Sequence, residues 1–589
     1  MMYDTLSGYV VRCTLIQRHV MKHNSDLSVL RHSAAHLLGH AVFELFPETL
    51  LTIGPATKEG FFYDFLPKRP FKEEDLVTIS KRMEEIVTRN LPLEHREINK
   101  DEARILYRHN PFKLELIEQI PGETVGLATQ GNFCDLCRGG HVASTGLLQH
   151  FKLLTISGSY WRADQNNTAL QRISGTAFFT AEELAAYETS QRELVQYDHR
   201  TLGKQLDLFS FHPEGVGFPF FHPKGYAILQ AMINYMRSLQ HTHNFSEIST
   251  PTILSDELWR RSGHYEHYRN DMYFLQIDEH SCAIKPMNCP GAILTYKTRP
   301  RSYRELPLKL AEYGRVHRNE LSGVLHGLLR VRAFTQDDAH IFCTHEQIKE
   351  QVVQFITMFI TMLARFEFSQ GHFAVATRPL SSIGTDELWE VATNALKDSL
   401  EQVSIPYEIL EGDGAFYGPK IAAYIEDSHG RRWQCGTVQI DFFQPENFDL
   451  YYITSTGNRA RPVMVHQAVY GSLERFLAIT LEHHKGNLPL WLAPIQARII
   501  TVTDEQQPIA QGWYQELKKQ GMRVEVDTTS DPIKGKIKAA SLDKIPWMLI
   551  IGKREAEHNC ITLRTHDGTQ HPDLSRESLL SMYQERTNF

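Results

Sequence analysis

Cys289, His340 and His466 lie far apart in the chain, yet each sits inside a short distinctive motif. One cysteine and two histidines form the donor set of a zinc site that keeps a coordination position open for substrate. If the three serve one ion, the fold must carry three distant segments to a single point, a stronger constraint than any local pattern. Spacing alone favours a plainer reading, since a buried cysteine and satisfied core histidines are the usual case. The surrounding motifs reverse that preference.

The cysteine belongs to IKPMNCPG (Ile284 to Gly291), His340 to FTQDDAH (Phe334 to His340) and His466 to RPVMVH (Arg461 to His466), just ahead of GSLERF (Gly471 to Phe476). Between the first two stands HRNELSGVLHGLLRVRAF, from His317 to Phe334. Together, from about Val29 to the C-terminus, these stretches closely resemble the threonyl-tRNA synthetases, a family of class II aminoacyl-tRNA synthetases. The resemblance implies a multidomain α/β and α+β protein. Its parts would be a class II catalytic core on an antiparallel sheet, an N-terminal α+β editing domain and a C-terminal α/β anticodon-binding domain. It also implies ATP-dependent ligation of L-threonine to tRNA(Thr) through a threonyl-adenylate, hydrolysis of mischarged Ser-tRNA(Thr), one zinc ion per subunit, Mg2+ with ATP, and a homodimer.

Bulk properties agree with several domains. A single hydrophobic core stops growing at roughly 250 to 300 residues, so 589 residues suit roughly three or four domains. The formal charge of −8 excludes a polycation, and any nucleic-acid contact must use local basic surfaces. The 8 cysteines are sparse and irregular, which argues against a disulfide scaffold and for a reducing compartment. The opening MMYDTLSGYVVRCTLIQRHV lacks a basic leader joined to an apolar core, and no apolar run approaches the ~20 residues needed to cross a bilayer. The expectation is a cytoplasmic protein with no membrane contact.

Residues 1–28 read as a short N-terminal extension, 29–180 as the editing domain, 181–199 as a linker helix, 200–489 as the catalytic domain and 490–589 as the anticodon-binding domain. Bacterial family members commonly carry a further small N-terminal domain, which this reading takes to be missing or truncated. Ala181 to Leu208 is rich in charged and amide side chains, with Leu184, Tyr187, Leu194 and Leu202 as a loose stripe, and predicts a solvated connecting helix. Gly225 to Gln240 places Ile228, Leu229, Met232, Ile233, Met236 and Leu239 on one helical face, ahead of the strand-like FSEISTPTIL. That order matches class II motif 1, which implies the dimer interface. After NLPLWLAP the pattern reads strand (Ala497 to Val502), helix (Ile509 to Gln520), strand (Arg523 to Asp527), helix, strand (Trp547 to Gly552).

Adenylate formation brings a carboxylate to the α-phosphorus of ATP and moves charge onto pyrophosphate, so the site needs permanent cations. By resemblance, Arg318 and Arg475 grip the phosphates, Arg330 adds a further phosphate contact, and Glu320 and Phe334 hydrogen-bond and stack the adenine. Guanidinium forks suit phosphate oxygens and keep their charge. Gln336, Asp338, Tyr417, Lys420, Gln434, Thr437 and Gln439 match positions lining the amino-acid and adenylate pocket. Leu321 stands where a proline is common and Ala333 where glycine is common, so crowding beside Phe334 is expected to show in the fit of adenine.

A metal that binds a hydroxyl separates threonine from valine but not from serine, and one missing methyl is worth only about 10 to 200-fold. A second sieve is therefore expected. RHSAAHLLGH puts His32 and His36 one helical turn apart, and CDLCRGGH puts Cys137 and His141 four apart. They match the HxxxH and CxxxH motifs of the family's editing domain, assisted by Asp135 and Lys113, with Tyr63 and Asp64 of GFFYDF as further candidates. The same four donors also look like a structural zinc site, whereas the resemblance implies a metal-free one. Cys134 with Cys137 forms a CxxC, but no thioredoxin-like pattern surrounds it. Glu555 and Arg564 match anticodon-reading positions, and Ser530 replaces an asparagine.

Two other functions would leave different marks. A noncatalytic tRNA-binding paralogue, or an editing factor on a dead synthetase body, predicts broken arginine or zinc positions, and none is broken. A serine or proline enzyme would share the arginine motifs but not this combination of open zinc set and editing motifs.

Overall fold

A computed structural model describes residues 26–164, 166–369 and 371–588. The expected extension over residues 1–28 lies outside them except for its last three positions. The chain divides into two compact units, residues 1–192 and 193–589.

In the first unit, a helix over residues 26–45 buries Leu30, Ala34, Leu37, Leu38 and Ala41, the spacing of a single apolar face. This face shares a core with Phe61, Tyr63 and Phe65, which alternate along Phe61–Leu66 and so point to one side of the sheet. The sheet runs in the order Leu50–Leu51, Phe61–Leu66, Ala169–Phe178, His150–Tyr160, and Glu73–Thr88 adds Ile79, Met83 and Ile86 to the same core. A smaller antiparallel sheet of Glu94–Asn99, Thr124–Gln130 and Phe133–Leu136 carries CDLCRGGH at its end.

The second unit is built on an eight-stranded sheet among the described residues. Its order is Ser246–Glu247, Leu308–His317, Ala333–Cys343, Val463–Ser472, Arg432–Asp441, Lys420–Glu426, Gly371–Ala376, Tyr407–Leu410, and the central pairings are antiparallel. The amphipathic helix Ile348–Arg365 and the helix Leu473–His483 share its core. Gly436 lets that backing come close: a Cβ there would lie 2.8 Å from the Phe359 ring. The last module is a five-stranded sheet in the order Val524–Val526, Ala497–Thr501, Trp547–Ile551, Ile561–Thr565, Gln570–Leu574, with Gln507–Lys519 and Ile533–Leu542 between its strands.

Two sequence expectations change. The connecting helix ends at Gln196; Asp198 then caps a separate helix, His199–Gln205, whose Leu202 joins the core of the second unit. The segment FSEISTPTIL forms only Ser246–Glu247 and Ile253–Ser255, because Pro251 interrupts it and its two ends join different sheets. The preceding helix spans Pro223–Thr242, longer than its apolar stripe.

Candidate functional site

Four neighbouring strands present one row of side chains. His340 is opposite His466, His466 is opposite Gln439, and Gln439 is opposite Lys420. Side chains alternate along a strand, so Asp338 and Thr437 join the same face two residues away. Cys289 enters from the first turn of Cys289–Tyr296. One donor atom each from Cys289, His340 and His466 lies within 4.8 Å of the others, and all three residues are buried.

The donor chemistry fits zinc. His340 Nε2 is buried without a hydrogen-bond partner, and burial holds the ring well below its usual pKa, so it offers a neutral lone pair. His466 Nε2 bonds Asp441 Oδ2 at 2.9 Å, which leaves Nδ1 as the free donor and fixes the tautomer. Burial pushes the Cys289 thiol well above its ordinary value, so binding a cation there releases a proton. Three protein donors beside a cleft match a site with one open position.

That cleft has a volume of about 480 Å³ and is bordered by every residue expected to serve activation: Arg318, Glu320, Arg330, Phe334, Gln336, Asp338, Tyr417, Lys420, Gln434, Thr437, Gln439 and Arg475. Arg318 stacks 5.1 Å from the Phe334 ring centre. Its burial lowers its pKa against the pull of Tyr268 and Glu320, an arrangement that an incoming anion relieves. Arg475 Nε donates to the Leu329 carbonyl at 3.0 Å. Glu320 and Arg330, expected to contact adenine and phosphate separately, bind each other at 2.8 and 3.0 Å. Tyr417 Oη donates to Gln439 Oε1, and Gln439 Nε2 donates to Thr437 Oγ1 at 3.2 Å. Burial raises Asp338 to about 6, opposed by His466 and by Asn288 Nδ2, which donates to it at 3.2 Å. Lys420 pairs with Asp413 at 3.1 Å.

The two departures in HRNELSGVLHGLLRVRAF are absorbed. Leu321 is exposed. Ala333 is buried in regular antiparallel register with His317, so its methyl needs no special backbone. Sequence reasoning missed Asp441, Asn288, Tyr268 and His264. Of these, Asp441 left a signal, standing two residues after Gln439 on the same face of its strand. His264 is buried with Nε2 3.0 Å from Met287 Sδ and 3.8 Å from Cys289 Sγ, and nothing in its local sequence marks it.

In the first unit, His32, His36, Cys137 and His141 form a second cluster with donor atoms within 4.8 Å of one another. Cys137 Sγ lies 3.1 Å from His32 Nε2 and 3.0 Å from His141 Nε2. Asp135 accepts from both Tyr63 Oη and Lys113 Nζ, and His36 Nδ1 stands 3.7 Å from it without a partner. Burial lowers His36 to about 3 and His141 to about 4. Tyr63 thus belongs to the cluster, whereas Asp64 turns to Arg172 at 2.7 Å. Cys134 meets Tyr107 instead.

In the last module, Glu555 Oε2 accepts from Gly552 N at 3.0 Å and Oε1 from Thr562 Oγ1 at 3.1 Å, so its carboxylate caps its own helix, Lys553–His558. Arg564 lies on Ile561–Thr565, and Ser530 is exposed in a loop. No helix among the described residues is long and apolar enough to cross a membrane.

Comparison with known proteins matches three parts of the chain. Residues 273–484 match the tRNA synthetase class II core domain (G, H, P, S and T), residues 496–586 the anticodon binding domain, and residues 125–174 the threonyl and alanyl tRNA synthetase second additional domain. A threonine–tRNA ligase of Carboxydothermus hydrogenoformans is 50% identical over 539 residues, covering 91% of this chain and 85% of the relative. One of Clostridium tetani is 48% identical over 559 residues, covering 92% and 87%. Among solved structures, the RNA binding domain of a threonyl-tRNA synthetase from Cryptosporidium parvum superposes with a TM-score of 0.64 at 39% identity, covering 66% of this chain and 98% of that one. A prolyl-tRNA synthetase of Giardia lamblia shares the fold alone, at 18% identity and a TM-score of 0.52 over 65% of this chain and 75% of its own. Identity at this level over nearly the whole length, together with the three matched domains, means that the chain belongs to the threonyl-tRNA synthetase family.

Proposed function

We propose that the chain joins L-threonine to tRNA(Thr) through a threonyl-adenylate and hydrolyses Ser-tRNA(Thr) formed in error. The observation that carries this reading is the single cleft shared by the Cys289, His340, His466 donor set and the arginines of HRNE and GSLERF. In the first step a threonine carboxylate oxygen attacks the α-phosphorus of ATP and pyrophosphate leaves. In the second, a terminal ribose hydroxyl of the tRNA attacks the adenylate carbonyl and AMP leaves.

Arg318, Arg330 and Arg475 hold the phosphates while charge shifts onto pyrophosphate, and Mg2+ arrives with ATP. To do so, Arg330 exchanges its contact with Glu320 for phosphate oxygens, freeing Glu320 for the adenine that stacks on Phe334. Lys420, Gln434 and Thr437 face the adenylate; Gln336, Asp338, Tyr417 and Gln439 line the amino-acid end, with the Asp338 carboxylate suited to the substrate ammonium. A zinc ion on Cys289, His340 and His466 supplies, when bound, a Lewis-acidic position for the amino and hydroxyl groups of threonine, which valine lacks the hydroxyl to fill.

Serine passes that filter, so hydrolysis falls to the first unit. His36, held neutral by burial, can accept a hydrogen bond from the attacking water and so position it, while Lys113 and Tyr63 fix Asp135 beside it. His32, Cys137 and His141 complete a metal-free pocket; zinc bound to the isolated cluster would favour the alternative reading. Residues 29–180 serve as the editing domain, 181–199 as linker, 200–489 as the catalytic domain and 490–589 as the anticodon-binding domain, where Glu555 and Arg564 meet the RNA. The working form is a cytoplasmic homodimer. Threonylation of a tRNA(Thr) transcript by zinc-replete protein tests the reading, and absence of threonyl-tRNA at saturating ATP would refute it.

A further inference from the structure

His199 stands outside the cleft, fully buried at the start of His199–Gln205. Its ring uses both nitrogens: Nδ1 donates to Glu482 Oε1 at 2.7 Å, and Nε2 accepts the Leu328 N–H at 3.1 Å. Asp198, His199 and Glu482 are close enough to hold a cation, but neither ring nitrogen has a lone pair to spare. The ring is therefore a hydrogen-bonding spacer between two elements of the cleft.

Glu482 lies near the end of Leu473–His483, the helix whose first turn carries Arg475. Leu328 and Leu329 lead directly into Arg330. The segment is pinned at consecutive residues, the Leu328 N–H by His199 and the Leu329 carbonyl by Arg475. Gly327 supports this closeness independently. It has φ of +48°, and a Cβ on it would lie 2.1 Å from His199 Nε2.

Glu482 reaches a third element as well. Its Oε2 accepts from Arg431 at 2.5 Å, Arg431 Nε donates to Asp427 at 2.7 Å, and Trp433 Nε1 donates to Asp427 at 2.9 Å. This turn joins Lys420–Glu426 to Arg432–Asp441, the strands bearing Lys420, Gln434, Thr437 and Gln439. One buried carboxylate thus ties together, from behind, the helix and hairpin that frame the cleft, and His199 extends the tie to the loop carrying Arg330.

We infer that His199 is a positioning residue for ATP: with Glu482 it fixes the backbone of Gly327 to Arg330, so that Arg330 faces the cleft and the Leu329 carbonyl orients Arg475. The inference rests on the reading of the cleft as an ATP site. The residues of the threonine end lie on the sheet row, and among the described residues the hydrogen bonds of His199 and Glu482 run to Leu328, to each other and to Arg431 and not to that row, so the two substrates should respond differently.

The test is pyrophosphate exchange with ATP and threonine varied in turn. His199→Ala should raise KM for ATP about tenfold, the scale of one buried hydrogen bond, with KM for threonine changed less than about twofold. Gly327→Ala, which pushes the ring away without removing it, should act in the same direction. The melting temperature and zinc binding by the Cys289, His340 and His466 set report whether the second unit of each variant is folded. An unchanged ATP KM in folded His199→Ala would overturn the inference, as would equal rises in both KM values. If His199→Ala does not fold, Gly327→Ala decides, and an unchanged ATP KM there overturns it. Inactivity of the unmutated protein would instead overturn the reading of the cleft.

Discussion

Replacing Asp441 by Asn should weaken zinc binding without dismantling the fold, and the structure shows why. The carboxylate accepts four hydrogen bonds: Oδ1 takes Phe443 N at 2.8 Å and Gln444 N at 3.0 Å, while Oδ2 takes Gln444 Nε2 and His466 Nε2, each at 2.9 Å. An asparagine keeps its one carbonyl oxygen on the two backbone donors and turns its NH2 toward the other two. Gln444 can adapt by flipping its amide, because its Oε1 has no partner now. His466 adapts only by moving its proton from Nε2 to Nδ1, the nitrogen the metal needs. Partners of this kind are worth about 10 to 100-fold in metal affinity, or ~1.4 to 2.7 kcal/mol. Competition with a chromogenic chelator measures the affinity, and threonine against valine in pyrophosphate exchange measures selectivity; both should fall together. Zinc affinity within about twofold of the unmutated protein would refute the tautomer argument.

Other substitutions address the remaining groups. Cys289→Ser should abolish stoichiometric zinc and threonine activation together; retained metal with normal activation would remove Cys289 from the donor set. His32→Ala with His36→Ala should let serine accumulate on tRNA while threonine activation stays unchanged, and no rise in Ser-tRNA would sink the editing assignment. His36 and His141 of this cluster make the first unit acid-labile. His36 falls from an ordinary 6.5 to about 3 on folding and His141 to about 4, so between those values and 6.5 the unfolded chain binds more protons. Stability is then unimpaired above pH 6.5 and declines as pH falls toward 3, and chemical denaturation of His36→Gln should show a shallower decline than the unmutated protein.

The lining of the cleft was legible in sequence because its groups sit in short motifs: the arginines, the donor triad and residues of the strands Ala333–Cys343 and Arg432–Asp441 all reach one cleft. The residues that orient them were not. Asn288, His264 and His199 act through contacts made across the sheet or between helices, and no local pattern distinguishes them from ordinary core polar residues; Asp441 left only its place two residues after Gln439 on one strand face. The bounds of one helix were misread for a related reason. Leu202 looked like the end of a solvated stripe, yet Asp198 caps a new helix that carries it into the core. In the first unit the HxxxH and CxxxH pairs were visible, while the Tyr63, Lys113 and Asp135 group depended on three segments meeting. Glu555, an anticodon-reading position by resemblance, also caps its own helix, a contact that the resemblance did not mark.

The most direct test of the central claim is amino-acid-dependent pyrophosphate exchange into ATP, with threonine, serine and valine compared on protein whose zinc content is measured. The account expects a strong signal with threonine, a weaker one with serine and almost none with valine, all lost when zinc is removed and regained when it is returned. Equal exchange with threonine and valine, or none with zinc fully bound, would contradict it.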